Sequence, residues 1–325
     1  MKGIVTGGSN NIFTVECEDG IVRRCGIKGK KLKDSSGYYN PLAPGDEVTL
    51  EADELSDDCG KLTGILPRKN EFVRWNVKGR RPQLLAANLD YLICVTTPES
   101  PPFRPRFVDR ALIQADYAHI EPVILCNKCD LGFAPETDVR LAEWERLGYR
   151  VLRVSAKTGE GLSRLAALLE GKLSAFVGQS GVGKSSILNV LDPNCVLRTG
   201  NLSEKYGRGT HTTTRGALCH LTIDEAFTGG RAGGDLGYAG VRASVIDTPG
   251  VRRFVLHDIS AADLALYFRE MEPLVGGCSF GMSCSHEQEA GCKILEAVYS
   301  GVILEDRYVS WMRIREELAG NGWAD

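Results

Sequence analysis

The sequence predicts a multidomain α/β protein with three domains, at residues 1–72, 73–256 and 257–325. Short strands with frequent turns fill the first segment and predict a small barrel or sandwich. In the second, nearly continuous apolar strands alternate with helical patterns, which is typical of a parallel sheet between helices. The third is mainly helical and contains a cluster of cysteine and histidine residues. A chain of 325 residues is long enough for two or three such domains.

The first domain has short runs of strand-like residues at 12–17, 21–25 and 47–50, separated by turn sequences rich in Gly, Asn and Asp. This pattern is the basis for the predicted β-barrel or sandwich. A run of basic residues comprises Arg23, Arg24, Lys28, Lys30, Lys31 and Lys33. Two interpretations of this run remain open, an RNA-binding surface on the barrel and a solvated loop.

The second domain is expected to follow a linker at residues 79–82, Gly-Arg-Arg-Pro. Apolar runs then occur at 89–95, 122–126, 150–154, 173–177 and 241–246, with helical patterns between them at 107–117, 139–147 and 162–169. Strands that are apolar on both faces and alternate with helices indicate a parallel α/β sheet. After residue 257 the pattern is helical, and Ser260 and Asp263 form a capping pair before a periodic run that ends at Met271.

Composition and charge argue against several classes of protein. The net charge of −3 gives no global attraction for nucleic acids, and the sequence has no run of about 18 apolar residues that could cross a bilayer. The first residues, Met-Lys-Gly-Ile-Val, lack the apolar core of a secretory signal. Eleven cysteines, an odd number, fit a reducing compartment better than a disulfide framework. We expect a cytoplasmic monomer with no membrane partner.

A phosphate-binding loop is indicated between an apolar strand and a helical pattern that starts at Ser186. Its residues match the pattern G-x-x-x-x-G-K-S and are Gly178, Gln179, Ser180, Gly181, Val182, Gly183, Lys184 and Ser185. Glycines let the backbone wrap a phosphate with its N–H groups, and the helix adds the positive end of its dipole. Lys184 is expected to reach the β- and γ-phosphates, and Ser185 to bind Mg²⁺.

A base-reading loop is indicated by the pattern N-K-x-D in Asn127, Lys128 and Asp130, at the end of an apolar strand. The Asp130 carboxylate can accept two hydrogen bonds from guanine, whose donor pair adenine lacks. The Asn127 amide can serve the same edge while the Lys128 stem packs on the ring. Cys126 and Cys129 form a C-x-x-C, but metal binding there is rejected because the two residues between them are needed for the base.

A second base-contacting loop is predicted at Ser155, Ala156 and Lys157, directly after the strand at 150–154. In this position backbone N–H groups would meet the carbonyl of the base. Three residues are weak evidence alone, but they lie one strand and helix beyond Asp130, where such a loop is expected.

The magnesium and switch residues are predicted in two places. Asp247, at the end of an apolar strand, can hold Mg²⁺ through water, and the Gly250 N–H can sense the γ-phosphate. One hydroxyl among Thr212, Thr213 and Thr214 should complete the Mg²⁺ shell and mark the first switch. The sequence does not decide which, and Thr213 is favoured.

The order of these motifs is rotated, because both base-reading loops precede the phosphate loop. Domain termini often lie close together, so joining them and opening the chain elsewhere can preserve one fold. The sequence therefore predicts a circularly permuted P-loop domain that binds GTP and GDP. As a consequence the second switch, at Gly250, leads directly into the third domain. We therefore expect the nucleotide state to move that domain.

A zinc site is predicted in the third domain from the pattern C-x₅-C-x-H-x₅-C, formed by Cys278, Cys284, His286 and Cys292. Three thiolates and one imidazole complete a tetrahedral structural site, which leaves no open position for catalysis. Scattered buried cysteines are the alternative.

Together these features resemble the circularly permuted, ribosome small-subunit-dependent GTPases of bacteria and plastids, over essentially the whole chain. The residues that carry the resemblance are Pro44-Gly45-Asp46, Asn88-Leu89-Asp90, the base-reading loop, the phosphate loop, residues 209–214 and 247–250, and the Cys/His cluster. The resemblance implies an N-terminal OB-fold that contacts ribosomal RNA. It also implies GTP hydrolysis that is stimulated by the small ribosomal subunit, and a role in late maturation of that subunit.

The expected catalytic residues are Lys184 and Thr213, from the motifs above, and His211. His211 resembles the family's proposed catalytic histidine. A neutral imidazole at His211 could orient water, and a solvent-facing loop histidine is the alternative. Val251 stands where many GTPases have a water-orienting Gln, so intrinsic hydrolysis should be slow. For this reason a second function stays open, a GTP-dependent RNA-binding scaffold in which hydrolysis is incidental.

Overall fold

The computed structural model describes residues 1–9, 11–29, 37–195, 216–229, 241–248 and 254–320. Along the chain a five-stranded barrel is followed by a two-stranded hairpin, a six-stranded sheet flanked by helices, and a C-terminal segment of short turns and two helices. The predicted multidomain α/β fold class is confirmed. Among the described residues, no helix has the length and apolar character needed to cross a membrane.

The N-terminal barrel closes in the order β1-β2-β3-β5-β4, with β4 pairing back to β1. Its strands are β1 (Lys2–Ser9), β2 (Ile12–Cys17), β3 (Val22–Ile27), β4 (Glu47–Asp53) and β5 (Ser56–Ile65). The pair β3 and β5 is parallel and the other neighbours are antiparallel. A closed five-stranded barrel of this order is an OB-fold. Its alternating strands enclose a small separate core that includes Val5, Phe13 and Leu50.

The basic run of the barrel is partly neutralised within the protein. Arg23 is 4% exposed and pairs with Asp19 at 2.8 Å, and Lys28 pairs with Glu51 at 2.8 Å. Arg24 stays exposed, while the last three basic positions lie outside the described residues. Neither simple interpretation therefore holds for the whole run, because Arg23 is a buried residue rather than part of a solvated loop or of a free RNA-binding surface.

A tight turn at Gly45 brings the start of β4 against the hairpin. Gly45 has φ +90°, and a Cβ there would lie 2.2 Å from Ala87 O, so only glycine fits. The next residue, Asp46, is fully buried and accepts hydrogen bonds from Ala43 N at 2.8 Å and from Arg68 Nη2 at 3.0 Å. These contacts hold the end of the barrel in place beside the hairpin.

Residues 79–82, expected to be a linker, instead form the end of a hairpin turn (79 and 80) and the start of its second strand (81 and 82), so that prediction was wrong. The hairpin consists of β6 (Glu71–Asn76) and β7 (Arg81–Ala87), which pair antiparallel. Phe72 and Leu84 are buried in its two strands. Gly79 lies in the turn and Pro82 near the start of β7. Their composition resembles a linker, but the apolar residues on both sides pack into cores and make the flanking segments strands.

The central sheet has the strand order β10-β9-β8-β11-β13-β12. Its strands are β8 (Tyr91–Thr96), β9 (Glu121–Cys126), β10 (Arg150–Arg153), β11 (Leu173–Gly178), β12 (Ala217–Ile223) and β13 (Val241–Asp247). All neighbours pair parallel except β12, which is antiparallel to β13. Leu92 and Cys94 belong to one buried cluster and Ile93 and Val95 to another, so β8 is covered on both faces as its apolar run predicts.

The helices that accompany the sheet are α1 (Pro105–Tyr117), α2 (Pro135–Arg146), α3 (Leu162–Leu169), α4 (Lys184–Leu191) and the short α5 (Glu225–Thr228). Both α1 and α2 start with proline in the first turn, where a missing N–H has no consequence. Buried residues of α1, among them Val108, Ala111 and Leu112, recur at helical spacing and pack in the same core as the C-terminal segment.

The C-terminal segment is less helical at its start than the sequence predicts. Ser260 and Asp263 do hydrogen-bond, at 2.7 and 3.1 Å, but only a 3₁₀ turn at Leu264–Tyr267 follows. Further 3₁₀ turns at Glu272–Leu274 and Gly281–Ser283 lead to α6 (Lys293–Tyr299) and α7 (Glu305–Leu318). Phe268 and Met271 are fully buried, so tertiary packing, rather than helix continuation, decides the path of this run.

Candidate functional site: a nucleotide-binding edge and a Cys₃His cluster

Several predicted site loops leave from one edge of the sheet. Because β8, β9, β10, β11 and β13 are parallel, the loops that follow β9, β10, β11 and β13 all start at their carboxyl ends. These loops contain the N-K-x-D motif, residues 155–157, the phosphate loop and Asp247. Only β8 separates β9 from β11 in the sheet, which places the predicted guanine and phosphate regions side by side.

Asn127 joins three of these loops. Its Nδ2 donates to Val182 O at 2.9 Å in the phosphate loop, and its Oδ1 accepts from Ala156 N at 3.1 Å. Lys128 adds a second link, because its Nζ donates to Gly181 O at 3.0 Å. The rotated motifs thus form one contiguous structure. The amide of Asn127 bonds to backbone, a role that the sequence did not indicate.

Gly183 is required where these loops meet. It has φ +92°, and a Cβ at this position would lie 2.3 Å from Nδ2 of Asn127. The glycine of the G-K-S motif therefore serves two needs, a left-handed backbone before α4 and the close approach of the base-reading loop.

The Asp130 side chain is positioned by the 155–157 loop. Its Oδ1 accepts from Ser155 Oγ at 2.7 Å, and Ser155 is fully buried. Lys157 Nζ lies 3.8 Å from Asp130 Oδ2, although its own side chain is 82% exposed. The carboxylate is therefore oriented by a rigid neighbour, as recognition of a planar base requires.

Lys184 lies folded over the phosphate loop at the start of α4. It is 7% exposed, and its Nζ donates to Gly178 O at 2.9 Å and to Gln179 O at 3.3 Å. Burial lowers the pKa of Lys184, and the nearby Asp247 carboxylate opposes this shift. Among the described residues its hydrogen-bond partners are carbonyl oxygens, and a buried cation in this position can bind an anion.

Asp247 faces the same position from the end of β13. Burial raises the pKa of Asp247, whereas Lys184 and a hydrogen bond from Ser185 lower it. Its Oδ1 is buried and has no hydrogen-bond partner among the described residues. A hydroxyl and a carboxylate are hard oxygen ligands of the kind that Mg²⁺ prefers, so Ser185 and Asp247 fit a magnesium ion.

The rest of the predicted nucleotide site is only partly described. Ser180 lies in the loop between β11 and α4, and Ser186 lies in the first turn of α4. The predicted switch and catalytic positions His211, Thr212, Thr213, Thr214, Gly250 and Val251 lie outside the described residues. Thr248, just before the second switch, is buried, and its Oγ1 donates to Phe176 O at 2.6 Å on the phosphate-loop strand.

The segment that follows β8 forms one border of the site, which the sequence did not indicate. Lys128 Nζ donates to Ser100 O, and Thr97 Oγ1 donates to Pro101 O at 2.8 Å. A Cβ on Gly181 would lie 3.7 Å from Pro101 Cδ. This segment supports the base-reading lysine through backbone carbonyl groups, which any residue type supplies, so no sequence pattern indicates it.

The Cys/His cluster comes together as the spacing predicts. The ligand atoms of Cys278, Cys284, His286 and Cys292 all lie within 4.8 Å of one another, and all four residues are buried. Zn–S bonds of about 2.3 Å and Zn–N bonds of about 2.0 Å give tetrahedral edges of about 3.8 Å between sulfurs and about 3.5 Å between sulfur and nitrogen. The observed separations are 3.8 Å for Cys278 and Cys292, and 3.5 and 3.4 Å from His286 Nδ1 to the same two sulfurs.

The surroundings of the cluster also suit a metal. Lys293 N–H donates to Cys278 Sγ at 3.3 Å and Leu295 N–H to Cys292 Sγ at 3.5 Å, which favours thiolate sulfur. Burial lowers the pKa of His286, and a neutral imidazole is the form that binds a metal. The cluster could therefore hold a zinc ion.

The fold and the linked loops define a class, the circularly permuted P-loop GTPases. Comparison with known proteins agrees: residues 65–228 match the family model described as RsgA GTPase. The small ribosomal subunit biogenesis GTPase RsgA of Pseudomonas fluorescens is 40% identical over 285 residues, which cover 87% of this chain and 76% of that protein. The protein of the same name from Chlorobaculum parvum is 36% identical over 326 residues, or 98% of each chain.

Solved structures agree with the sequence comparison. YjeQ from Thermotoga maritima is 31% identical and superposes with a TM-score of 0.69 over 98% of both chains. YloQ, a circularly permuted GTPase, shares the fold with a TM-score of 0.65 at 24% identity, over 100% of this chain and 96% of that one. The chain belongs to the RsgA GTPase family and is a GTP hydrolase that binds GTP and GDP, which confirms the sequence prediction.

Proposed function

We propose that this GTPase hydrolyses GTP to GDP and phosphate while bound to the small ribosomal subunit, and that it acts late in the maturation of that subunit. The observation that carries the nucleotide part is the linkage of three loops through Asn127, at 2.9 and 3.1 Å. The ribosomal part is supported by the relatives, which are small ribosomal subunit biogenesis GTPases.

Guanine would be held by the base-reading loop and by the loop after β10. Asp130 would accept the two donors of guanine, helped by its orientation on Ser155 at 2.7 Å. The Lys157 N–H would meet the base carbonyl, while the Ala156 N–H stays bonded to Asn127 Oδ1 and holds the loop in place. The stem of Lys128 would cover one face of the ring. Asn127 would act indirectly, by holding this region against the phosphate loop.

The phosphates would lie in the cradle formed by residues 178–186. Lys184 would turn from its carbonyl partners, 2.9 and 3.3 Å away, toward the β- and γ-phosphates. Ser185, Asp247 and Thr213 would hold Mg²⁺, which neutralises charge on the phosphate oxygens. His211 would orient the attacking water, and the Gly250 N–H would sense the γ-phosphate.

A structural zinc ion would be held by Cys278, Cys284, His286 and Cys292, with the sulfur and nitrogen separations given above in support. Because no ligand position would remain open, the metal would stabilise the C-terminal segment and take no part in catalysis. Metal analysis of the purified protein should find about one zinc per chain, and Cys292→Ser should abolish it.

We further propose a cytoplasmic monomer whose barrel contacts ribosomal RNA and which needs no membrane partner. The OB-fold is a frequent nucleic-acid-binding barrel, and Arg24 on β3 is an exposed cation there. The pairing of Arg23 and Lys28 within the barrel means that other positions must supply most of the phosphate contacts.

The test is turnover of GTP with and without purified small ribosomal subunits, with large subunits and ATP as controls. A rise of about tenfold or more with small subunits alone, equal to about 1.4 kcal/mol of barrier, supports the proposal. His211→Ala should remove most of this rise and leave nucleotide affinity unchanged. Equal turnover with and without small subunits, despite GTP-dependent co-sedimentation, would instead favour an RNA-binding scaffold with incidental hydrolysis.

A further inference from the structure

The segment that follows the second switch, residues 254–257, is held against the hairpin. Trp75 N–H donates to Val255 O at 3.0 Å, so the segment adds one hydrogen bond to the edge of β6. The rings of Phe72 and Phe254 stack with centroids 5.4 Å apart. The hairpin is a sheet of only two strands, which needs such packing for stability.

On its other side the backbone of the same segment is held by the side-chain amide of Gln114 on α1. Gln114 Nε2 donates to His257 O at 3.3 Å, and Gln114 Oε1 accepts from His257 N at 2.8 Å. Gln114 is 1% exposed. Because one side chain matches both backbone groups of one residue, slipping the segment by one residue would break both bonds and leave buried polar groups unpaired.

The chain is also anchored on the near side of the switch. Thr248 Oγ1 donates to Phe176 O on the phosphate-loop strand, and only five residues separate Thr248 from Phe254. The six Cα–Cα steps from Thr248 to Phe254 span about 21 Å at most. Residues 254–257 therefore lie close in the chain to the proposed switch, and a displacement that reaches them can be transmitted further only if their register is fixed.

We propose that Gln114 is a positioning residue that fixes the register of residues 254–257 and so couples nucleotide state to the β6–β7 hairpin. The inference rests on the nucleotide-dependent switching proposed above and names the element that responds. The C-terminal segment is tied to α1 and α2 through the buried Asp109, which accepts from Arg140 and Arg307, so we assign the response to the hairpin, which lies outside this ion-pair network.

The chain offers a matched control for this contact. Asn70 holds Leu89 in the same way, since Nδ2 donates to Leu89 O at 2.8 Å and Oδ1 accepts from Leu89 N at 2.8 Å. Asn70 is also buried, and it lies directly before β6 at the base of the hairpin, where these two side-chain bonds are to Leu89 and not to residues 254–257. Gln114→Met and Asn70→Leu each remove one two-bond amide contact and keep much of the side-chain volume.

The test is hydrogen exchange of the full-length protein loaded with GDP or with a non-hydrolysable GTP analogue, followed in peptides that cover the hairpin at residues 71–87. The wild type should show a nucleotide-dependent difference in these peptides, and Asn70→Leu should keep it. Gln114→Met should lose the difference while its affinity for both nucleotides stays at the wild-type value.

A wild-type-like difference in Gln114→Met, or no difference in the wild type, would overturn the proposal. If Gln114→Met does not fold, Gln114→Glu replaces it, because the carboxyl group keeps an acceptor for His257 N and the side-chain volume. An unchanged difference in Gln114→Glu contradicts the coupling, and a reduced one supports it. No ribosomal subunit is used, so a failure of subunit stimulation leaves this result interpretable.

Discussion

The sheet domain contacts the C-terminal segment and the barrel at two interfaces, the C-terminal seam and the barrel seam, which differ in burial and charge. Toward the C-terminal segment, the carboxylate of Asp109 is fully buried and accepts hydrogen bonds from Arg140, Arg307, Trp144 and Ser310. Toward the barrel, an exposed polar pair joins β12 to β2. His220 Nε2 lies 2.6 Å from Glu16 Oε2, with side chains 53% and 42% exposed.

The cores differ in the same way. One continuous cluster of buried residues runs from the hairpin through α1 and α2 into the C-terminal segment, whereas the barrel encloses a separate cluster. The C-terminal segment thus shares its core with the GTPase domain, whereas the barrel has a core of its own. Nucleotide-driven motion at the C-terminal seam would have to break a buried charge network, which the sequence-based expectation of a moving third domain did not consider.

The largest effect is expected at the buried seam. Asp109→Ala leaves two buried guanidinium groups without their shared carboxylate, and breaking a buried ion pair costs about 3–5 kcal/mol. Denaturant unfolding measures this loss. Asp306→Ala is the matched control, because Asp306 pairs with the same Arg140 at 2.8 Å but is 63% exposed, and exposed pairs contribute about 0–1 kcal/mol. Equal effects of the two substitutions would contradict the comparison.

A smaller effect is expected from pH, which should change the stability contributed by two buried carboxyl groups in opposite directions. Burial alone would raise the pKa of Asp109, but Arg140 and Arg307 outweigh it and hold the pKa below 3.8. Its contribution to stability is therefore present above 3.8 and is lost as pH falls through the lower folded pKa. Burial raises the pKa of Asp46 against the pull of Arg68, so its contribution is present below 3.8 and is lost as pH rises through the raised folded pKa.

The free energies of unfolding of the wild type, Asp109→Asn and Asp46→Asn, measured on both sides of pH 3.8, test these opposite pH dependences. On acidification, the advantage of wild type over Asp109→Asn should shrink, while its advantage over Asp46→Asn should grow. Slopes of the same direction for both pairs would contradict the opposite pKa shifts of these two carboxyl groups.

The smallest effect is expected at the barrel seam. His220→Ala removes one exposed contact to Glu16 and should change the unfolding free energy by about 1 kcal/mol or less. A loss as large as that of Asp109→Ala would contradict the view that this contact of β12 with the barrel is an exposed polar one.

Much of the fold was predictable from the sequence because its signals are local. Strands that are apolar on both faces, such as β8 and β11, can only lie inside a covered sheet. The glycines and Lys184 of the phosphate loop follow from backbone and charge requirements that belong to one segment. The spacing of Cys278, Cys284, His286 and Cys292 was likewise enough to predict that they meet.

Features that depend on tertiary partners were not predictable. Residues 79–82 have the composition of a linker, and only packing of Phe72 and Leu84 makes their flanks a hairpin. Arg23 is one of a basic run by sequence, but its partner Asp19 withdraws it from solvent. The amide of Asn127 bonds to Val182 O and Ala156 N, which are backbone atoms that carry no sequence signal.

The central claim is that loops from distant parts of the chain enclose one guanine nucleotide, with Asp130 as the reader of the base. Calorimetric titration of wild type and Asp130→Asn with GDP and xanthosine diphosphate tests it most directly. We expect the variant to bind GDP about 100-fold more weakly, a change of about 2.8 kcal/mol, and to gain affinity for the xanthine nucleotide, whose 2-carbonyl accepts from the new amide. Unchanged affinity for GDP in Asp130→Asn would contradict the account.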